Sequence, residues 1–255
     1  MIMQGEEHTV LATDLPQTSG ERKQPVIAVQ GVSKTYPLGR RSTVEAVRGI
    51  SLSVAEGEFV MITGRSGSGK TTLLNLMAGL THPTSGRILV DGEDLWGLSD
   101  RQRSAYRNQR VGFIFQFPSL IASLTAIENV LLPTMFAPRN RRLDGGPARQ
   151  RAEELLGVVG LSDKLAARPR QLSAGQQKRA VIARALMNEP SLLLADEPTA
   201  DLDEQTEQEI VAFLCQVQQT RNLTIVMVTH AGELLRVATR AMEMSEGTLR
   251  ERIDS

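Results

Sequence analysis

The chain has 255 residues, with 29 Lys and Arg balanced by 29 Asp and Glu, three His and one Cys. Apolar residues make up 41% and Gly adds 21 more, which excludes disorder throughout, a collagen-like repeat and a disulfide framework. Zero net charge argues against bulk phosphate-backbone binding as the main task, though not against a local basic patch. The length suits one domain with an embedded subdomain, or two small domains. Cys215 has no intrachain partner, which fits a reducing compartment.

In chain order, residues 1–24 are polar, mix in Pro, Gly and Ser, and read as a flexible tail ahead of a folded unit over 25–255. Glu6 and Glu7 stand where a secretory leader needs basic residues, and no run approaches the roughly 20 apolar residues of a membrane span. A soluble, non-secreted protein is expected. VIAVQGVSKTY reads as a strand leading to a turn, and GISLSVAEGEFVMIT as two strands joined at Glu56 and Gly57. The second of these ends in a short apolar run of the kind buried on both faces. GRSGSGKTT follows, and then a helical pattern, TTLLNLMAGL, closed by Gly79 and Pro83.

Residues 117–178 have helical spacing and no convincing strand, which predicts a helical insertion. Two further strands are expected at 192–194, leading to Asp196, and at 224–228, leading to His230. Each is preceded by a helical pattern, QQKRAVIARALMN and EQTEQEIVAFLCQVQQT. Strands alternating with helices predict an α/β fold with a parallel sheet.

The strongest local motif is Gly64-Arg65-Ser66-Gly67-Ser68-Gly69-Lys70-Thr71, which fits G-x-x-x-x-G-K-[ST] with a strand before it and a helix after. Its glycines let backbone N–H groups turn toward phosphates, and the helix that follows adds a positive N-terminal end. Lys70 is expected to reach the β- and γ-phosphates of ATP, and Thr71 to hold Mg²⁺. In LLLADEP, Asp196 offers a carboxylate to Mg²⁺, and Glu197 is placed to orient or deprotonate the attacking water. Leu172-Ser173-Ala174-Gly175-Gln176 opens a second helix, with Ser173 at the N-cap. From local sequence alone this reads as an ordinary capped helix rather than an anion site.

Taken together these residues resemble the nucleotide-binding subunit of ABC transporters, and the likeness spans nearly all of residues 26–246. The resemblance implies a P-loop NTPase core with an N-terminal antiparallel β subdomain and an α-helical subdomain inserted at about 117–178. It makes Tyr36 the adenine-stacking aromatic and residues 64–72, through Thr72, the phosphate cradle. Gln116 becomes the coupling-loop glutamine and a further Mg²⁺ ligand. Ser173, Gly175 and Gln176 become the signature contacts to nucleotide, while Lys70, Glu197 and the switch histidine His230 join Gln116 as catalytic residues. In that family two copies pack head-to-tail, so that Ser173 to Gln176 of one close over ATP held by the other. The implied partners are a second copy of the chain and an integral membrane permease, with the subunit peripheral on the cytoplasmic face of the inner membrane.

YPLG, VGFIFQ, LTAIENVLLP, RPRQLSAGQQKR and ADEPTADLD are similar to the lipoprotein-releasing and macrolide-exporting (LolD/MacB) branch, with the division ATPase FtsE a near relative. Two residues depart from the pattern. Ala174 stands where the signature usually has Gly, and Asp201 where this branch more often has Asn. Neither change removes a phosphate contact. A soluble ABC ATPase acting on DNA or ribosomes is the competing class. Against it, the stretch between Gly64 and Leu172 leaves no room for a long coiled coil or zinc module, so no nucleic acid is expected as a partner.

Outside the motifs, Leu120, Leu124, Ile127, Val130 and Leu131 form an apolar stripe that serves a core or a permease groove. Arg101, Arg103, Arg107 and Arg110 form a basic cluster that reads as a solvated helix face, or as a contact to lipid headgroups or a permease loop.

Overall fold

The computed structural model describes residues 25–39, 42–137 and 145–252. The expected tail, 1–24, lies outside them. An antiparallel sheet of four strands has the order β2 (Ser42–Val54), β1 (Ile27–Leu38), β4 (Ser85–Val90), β5 (Glu93–Asp94). A second sheet of six strands runs β10 (Thr248–Glu251), β9 (Arg240–Ser245), β3 (Phe59–Thr63), β8 (Thr224–Thr229), β7 (Leu192–Asp196), β6 (Val111–Ile114). All of its neighbours are parallel except the edge strand β10.

The three central strands β3, β7 and β8 are buried at every residue, as a parallel sheet covered on both faces requires. Their side chains alternate between two cores, because successive residues of a strand point to opposite faces. Phe59, Met61, Leu193, Ala195, Ile225 and Met227 pack on one side with α3 (Ala126–Met135), α4 (Gly145–Val158), α5 (Ala174–Ala185) and α6 (Glu204–Arg221). Val60, Ile62, Leu192, Leu194, Val226 and Val228 pack on the other with α1 (Lys70–Met77) and the antiparallel sheet. Each fully buried aliphatic side chain contributes about 1.5–3 kcal/mol. A charge placed in β7 or β8 would therefore break a core whichever way it pointed.

The expected strands and helices are present, with shifted ends. β7 runs through Asp196 itself, α1 begins at Lys70 and α5 at Ala174. The described residues within 117–178 contain helices α3, α4 and the start of α5, and no strand. The apolar stripe divides: Ile127 and Val130 are buried, while Leu120 and Leu131 pack at the edge of the same core.

The basic cluster lies on α2 (Asp100–Arg110), whose capping box joins Ser99 and Gln102. Three of its four arginines are committed within the chain. Arg103 binds the Leu98 carbonyl and Asp100 and sits over Trp96; Arg107 donates to the Gly79 carbonyl; Arg110 pairs with Asp91 at 2.8 Å. Arg101 and Arg110 remain exposed, as a solvated helix face predicts.

Candidate functional site

Four segments leave the carboxyl ends of adjacent parallel strands at one edge of the sheet, the place where α/β sheets bind ligands. Thr63 at the end of β3 leads into the glycine-rich loop, and Ile114 of β6 leads to Gln116. β7 ends on Asp196 with Glu197 beyond it, and β8 ends on Thr229 with His230 beyond it. A cavity of about 230 Å³ opens there, lined by Ala46, Ser66, Gly67, Gly69, Lys70, Thr71, Thr72, Gln116, Glu197 and His230. Ala46 comes from β2, so the antiparallel sheet supplies a wall.

The loop is built on backbone geometry that only glycine tolerates. Gly64, Gly67 and Gly69 all have positive φ. A Cβ on Gly64 would meet the Met244 carbonyl oxygen at 2.2 Å, and one on Gly69 the Ala46 carbonyl oxygen at 2.1 Å. Gly69 also forms the N-cap of α1 in a left-handed conformation, with no side chain capping the helix. The first-turn N–H groups of α1 are therefore left for a ligand. Ser68 Oγ is buried with no hydrogen-bond partner.

Lys70 is 5% exposed and spans the mouth of the loop, donating to the carbonyls of Gly64 at 2.8 Å and Arg65 at 3.1 Å. Burial pulls its pKa down, and the carboxylates of Glu197 and Asp196 oppose that. Burial likewise pushes the Asp196 carboxyl up, against the hydrogen bond its Oδ1 accepts from Thr71 Oγ1 at 3.2 Å. Three groups converge on the Glu197 carboxylate. His230 Nε2 is 2.6 Å from Oε1, Lys70 Nζ is 3.9 Å from the same oxygen, and Gln116 Nε2 donates to Oε2 at 3.2 Å. Glu197 holds a left-handed backbone conformation (φ 46°), a strained state of the kind that collects at functional sites.

The structure does not bring every expected residue to this cavity. Ser173, Gly175 and Gln176 open α5, and none of them lines it. There Ser173 Oγ accepts from the Gln176 N–H at 3.2 Å, while Gln176 Oε1 accepts from the Ser173 N–H at 3.0 Å. Ser173 and Ala174 are exposed, so the extra methyl of Ala174 meets nothing within the chain that would forbid it. Tyr36, on β1, is also outside the cavity lining, with Lys34 Nζ 5.0 Å from its ring centre. Asp201 lies in the turn before α6 with φ 63°, a conformation that Asn and Asp tolerate better than other side chains.

Comparison with known proteins closes the question of family. Residues 47–200 match the family model described as ABC transporter. The chain belongs to that family, as an ATP-binding subunit. It is 42% identical over 222 residues to the lipoprotein-releasing system ATP-binding protein LolD of Geobacter metallireducens, covering 87% of this chain and 96% of the relative. It is 43% identical over 224 residues to the macrolide export ATP-binding/permease protein MacB of Syntrophobacter fumaroxidans, covering 88% of this chain but 31% of that longer protein. Among solved structures, the dimeric cassette MJ0796 in a post-hydrolysis state with ADP and Pi superposes with a TM-score of 0.83 at 38% identity, over 89% of this chain and 97% of that one. The cassette is thus an ABC ATPase, and the cavity at the β3, β6, β7 and β8 ends lies within its nucleotide-binding fold. No helix among the described residues is long and apolar enough to cross a membrane.

Sequence reasoning missed one contact beside the site. Lys178, inside α5, is buried and donates to the Gln116 carbonyl. A lysine at a position where the helix buries its other side chains was the available sign.

Proposed function

We propose that this cassette hydrolyses ATP as one of two head-to-tail copies and thereby drives a membrane permease of the lipoprotein-releasing or macrolide-exporting type, from the cytoplasmic face of the inner membrane. The observation that carries the reading is the separation within one chain. A phosphate cradle faces Glu197, Gln116 and His230, while Ser173 and Ala174 at the start of α5 are exposed and outside that cavity. A second copy, related by a two-fold axis, would place that start over the nucleotide and make two equivalent sites. ATP binds the closed pair better than the open one, so its hydrolysis releases the closure.

In this reading residues 64–72 hold the triphosphate, Tyr36 stacks on the adenine, and Ser173, Gly175 and Gln176 of the second copy contact the γ-phosphate. The Mg²⁺ that such chemistry needs fits the donors present. Thr71 Oγ1 and Asp196 Oδ1 are adjacent hard oxygens, and Gln116, whose Nε2 binds Glu197, carries an amide oxygen as a further hard donor. When bound, the ion neutralises charge on the β- and γ-phosphates. Lys70 exchanges the Gly64 and Arg65 carbonyls for those phosphate oxygens. Glu197 accepts a proton from the attacking water, and His230 and Gln116 hold its carboxylate in place for that transfer.

The permease assignment draws support from the rim beside Gln116. Phe115, Phe117 and Ile121 are exposed in the segment around Gln116, and Met135 and Phe136 are exposed at the end of α3; exposed apolar side chains of this kind mark protein interfaces when they cluster. Its likeness to LolD and MacB supports export or lipoprotein release as the work done. The alternative reading is an FtsE-type regulatory ATPase, which signals through a membrane partner without transport.

Trapping the Glu197→Gln variant with ATP in native membranes and identifying what co-purifies tests the assignment. A permease with a large extracytoplasmic domain supports transport or lipoprotein release. A division-type membrane partner supports the regulatory reading, and recovery of soluble proteins or nucleic acid alone overturns both.

A further inference from the structure

Lys178 is 4% exposed, deep in α5. A buried ammonium is costly unless it is paired, and partners for this one are few. The described residues show it donating to the main-chain carbonyl of Gln116, in the segment that leaves β6. Glu197, the carboxylate at the centre of the site, is taken instead by Lys70 and His230. Burial pulls the Lys178 pKa down, and the charges of Asp201, Glu197 and Asp196 hold it up, in that order of strength. A second cation of the same helix grips the same segment, for Arg184 donates to the carbonyl oxygen of Ser119 at 2.6 Å and to its Oγ at 2.6 Å.

The Gln116 side chain and the Gln116 carbonyl belong to one residue. Fixing the carbonyl fixes the origin from which the side-chain amide reaches Glu197 Oε2. We propose that Lys178 is a positioning residue for ATP hydrolysis: it ties the helix that begins at Ser173 to the Gln116 backbone, and so holds the Gln116 amide against Glu197. Lys178 does not line the nucleotide cavity and acts only through Gln116. This inference rests on the assignment of Gln116 and Glu197 to the hydrolytic site.

Three variants of the full chain test it, read by kcat and KM for ATP and by Tm. Lys178→Met keeps the length of the side chain and removes the donor, and it should lower kcat about tenfold or more while leaving KM within about twofold. Lys178→Gln keeps a donor for the same carbonyl without the charge, and its kcat should stay within about threefold of the parent. In a Gln116→Ala background, Lys178→Met should cost nothing further in kcat, because residues acting in series are not additive. A full second loss in that background overturns the inference, and so does a rise in KM matching the fall in kcat. If Lys178→Met does not fold, Lys178→Gln still decides. A tenfold loss there shows that charge, not the carbonyl bond, is what matters. Should Gln116→Ala alone keep full kcat, the assignment of Gln116 itself fails, a different outcome from either.

Discussion

Two helix starts in this molecule solve opposite problems. α1 begins at Gly69 with no side chain capping it, and its unspent N–H groups point into a cavity walled by Gln116, Glu197 and His230. α5 begins at Ser173 with both partners of a capping box in place, and it stands exposed. The first start is complete only with a ligand, whereas the second is stable alone and offers just the hydroxyl proton of Ser173 and the N–H groups the box leaves over. The difference teaches that a start built on glycine leaves its first N–H groups open, while one that begins at serine satisfies part of its own.

The sharpest way to break the comparison is Lys70→Ala. It removes the cation spanning the α1 cradle, and phosphate release from ATP should fall by about 10³-fold or more, with nucleotide binding weakened. Near-normal turnover would remove the cradle from the mechanism. Glu197→Gln should slow hydrolysis about 10²–10⁴-fold yet leave ATP binding intact, and size-exclusion chromatography with ATP should show an accumulating dimer. Turnover within a few-fold of the parent would mean Glu197 does not activate the water.

Ser173→Ala sharpens the other half. Losing the cap should cost about 1 kcal/mol of stability, a Tm shift of about 2–4 °C. ATP binding to the isolated subunit should be unchanged, and ATP-dependent dimerisation should weaken about tenfold. A loss of subunit affinity equal to that of Lys70→Ala would erase the distinction between the two starts. The smallest effect is expected of Asp201→Asn, which removes one negative charge from the turn before α6, a turn that the family resemblance puts near the interface between copies, and keeps the left-handed backbone. Dimerisation should strengthen by about threefold at most, with the gain vanishing at high salt. A weaker dimer would instead give Asp201 a contact of its own.

Much of the site was legible because its chemistry is local. The P-loop needs glycine at Gly64 and Gly69 for steric reasons that act within a few residues of chain, and Asp196 follows a run apolar enough to be buried on both faces. β6 was harder to see as a strand. Its four residues are too short to show alternation, and only β7 beside them makes them a strand. β9 and β10 escaped for a similar reason: RAMEMS and TLRE are short, β9 is placed by its pairing with β3, and β10 forms the edge by pairing with β9. The arginines of α2 looked like a free charged surface because sequence shows charge but not distance. The Gly79 carbonyl and Asp91 lie far from them in the chain and close in space.

By itself, then, the sequence determined the local pieces: a glycine loop able to approach phosphate, a carboxylate pair at a strand end, a capped helix, and amphipathic segments of known type. The tertiary structure alone decided that Gln116, Glu197 and His230, which come from three different strands, meet within hydrogen-bond distance, and that Lys178 reaches the Gln116 carbonyl. The reason is physical. Backbone strain and capping act over three or four residues, whereas strand order is set by how two apolar faces of one sheet are buried together, and that is a property of the whole chain.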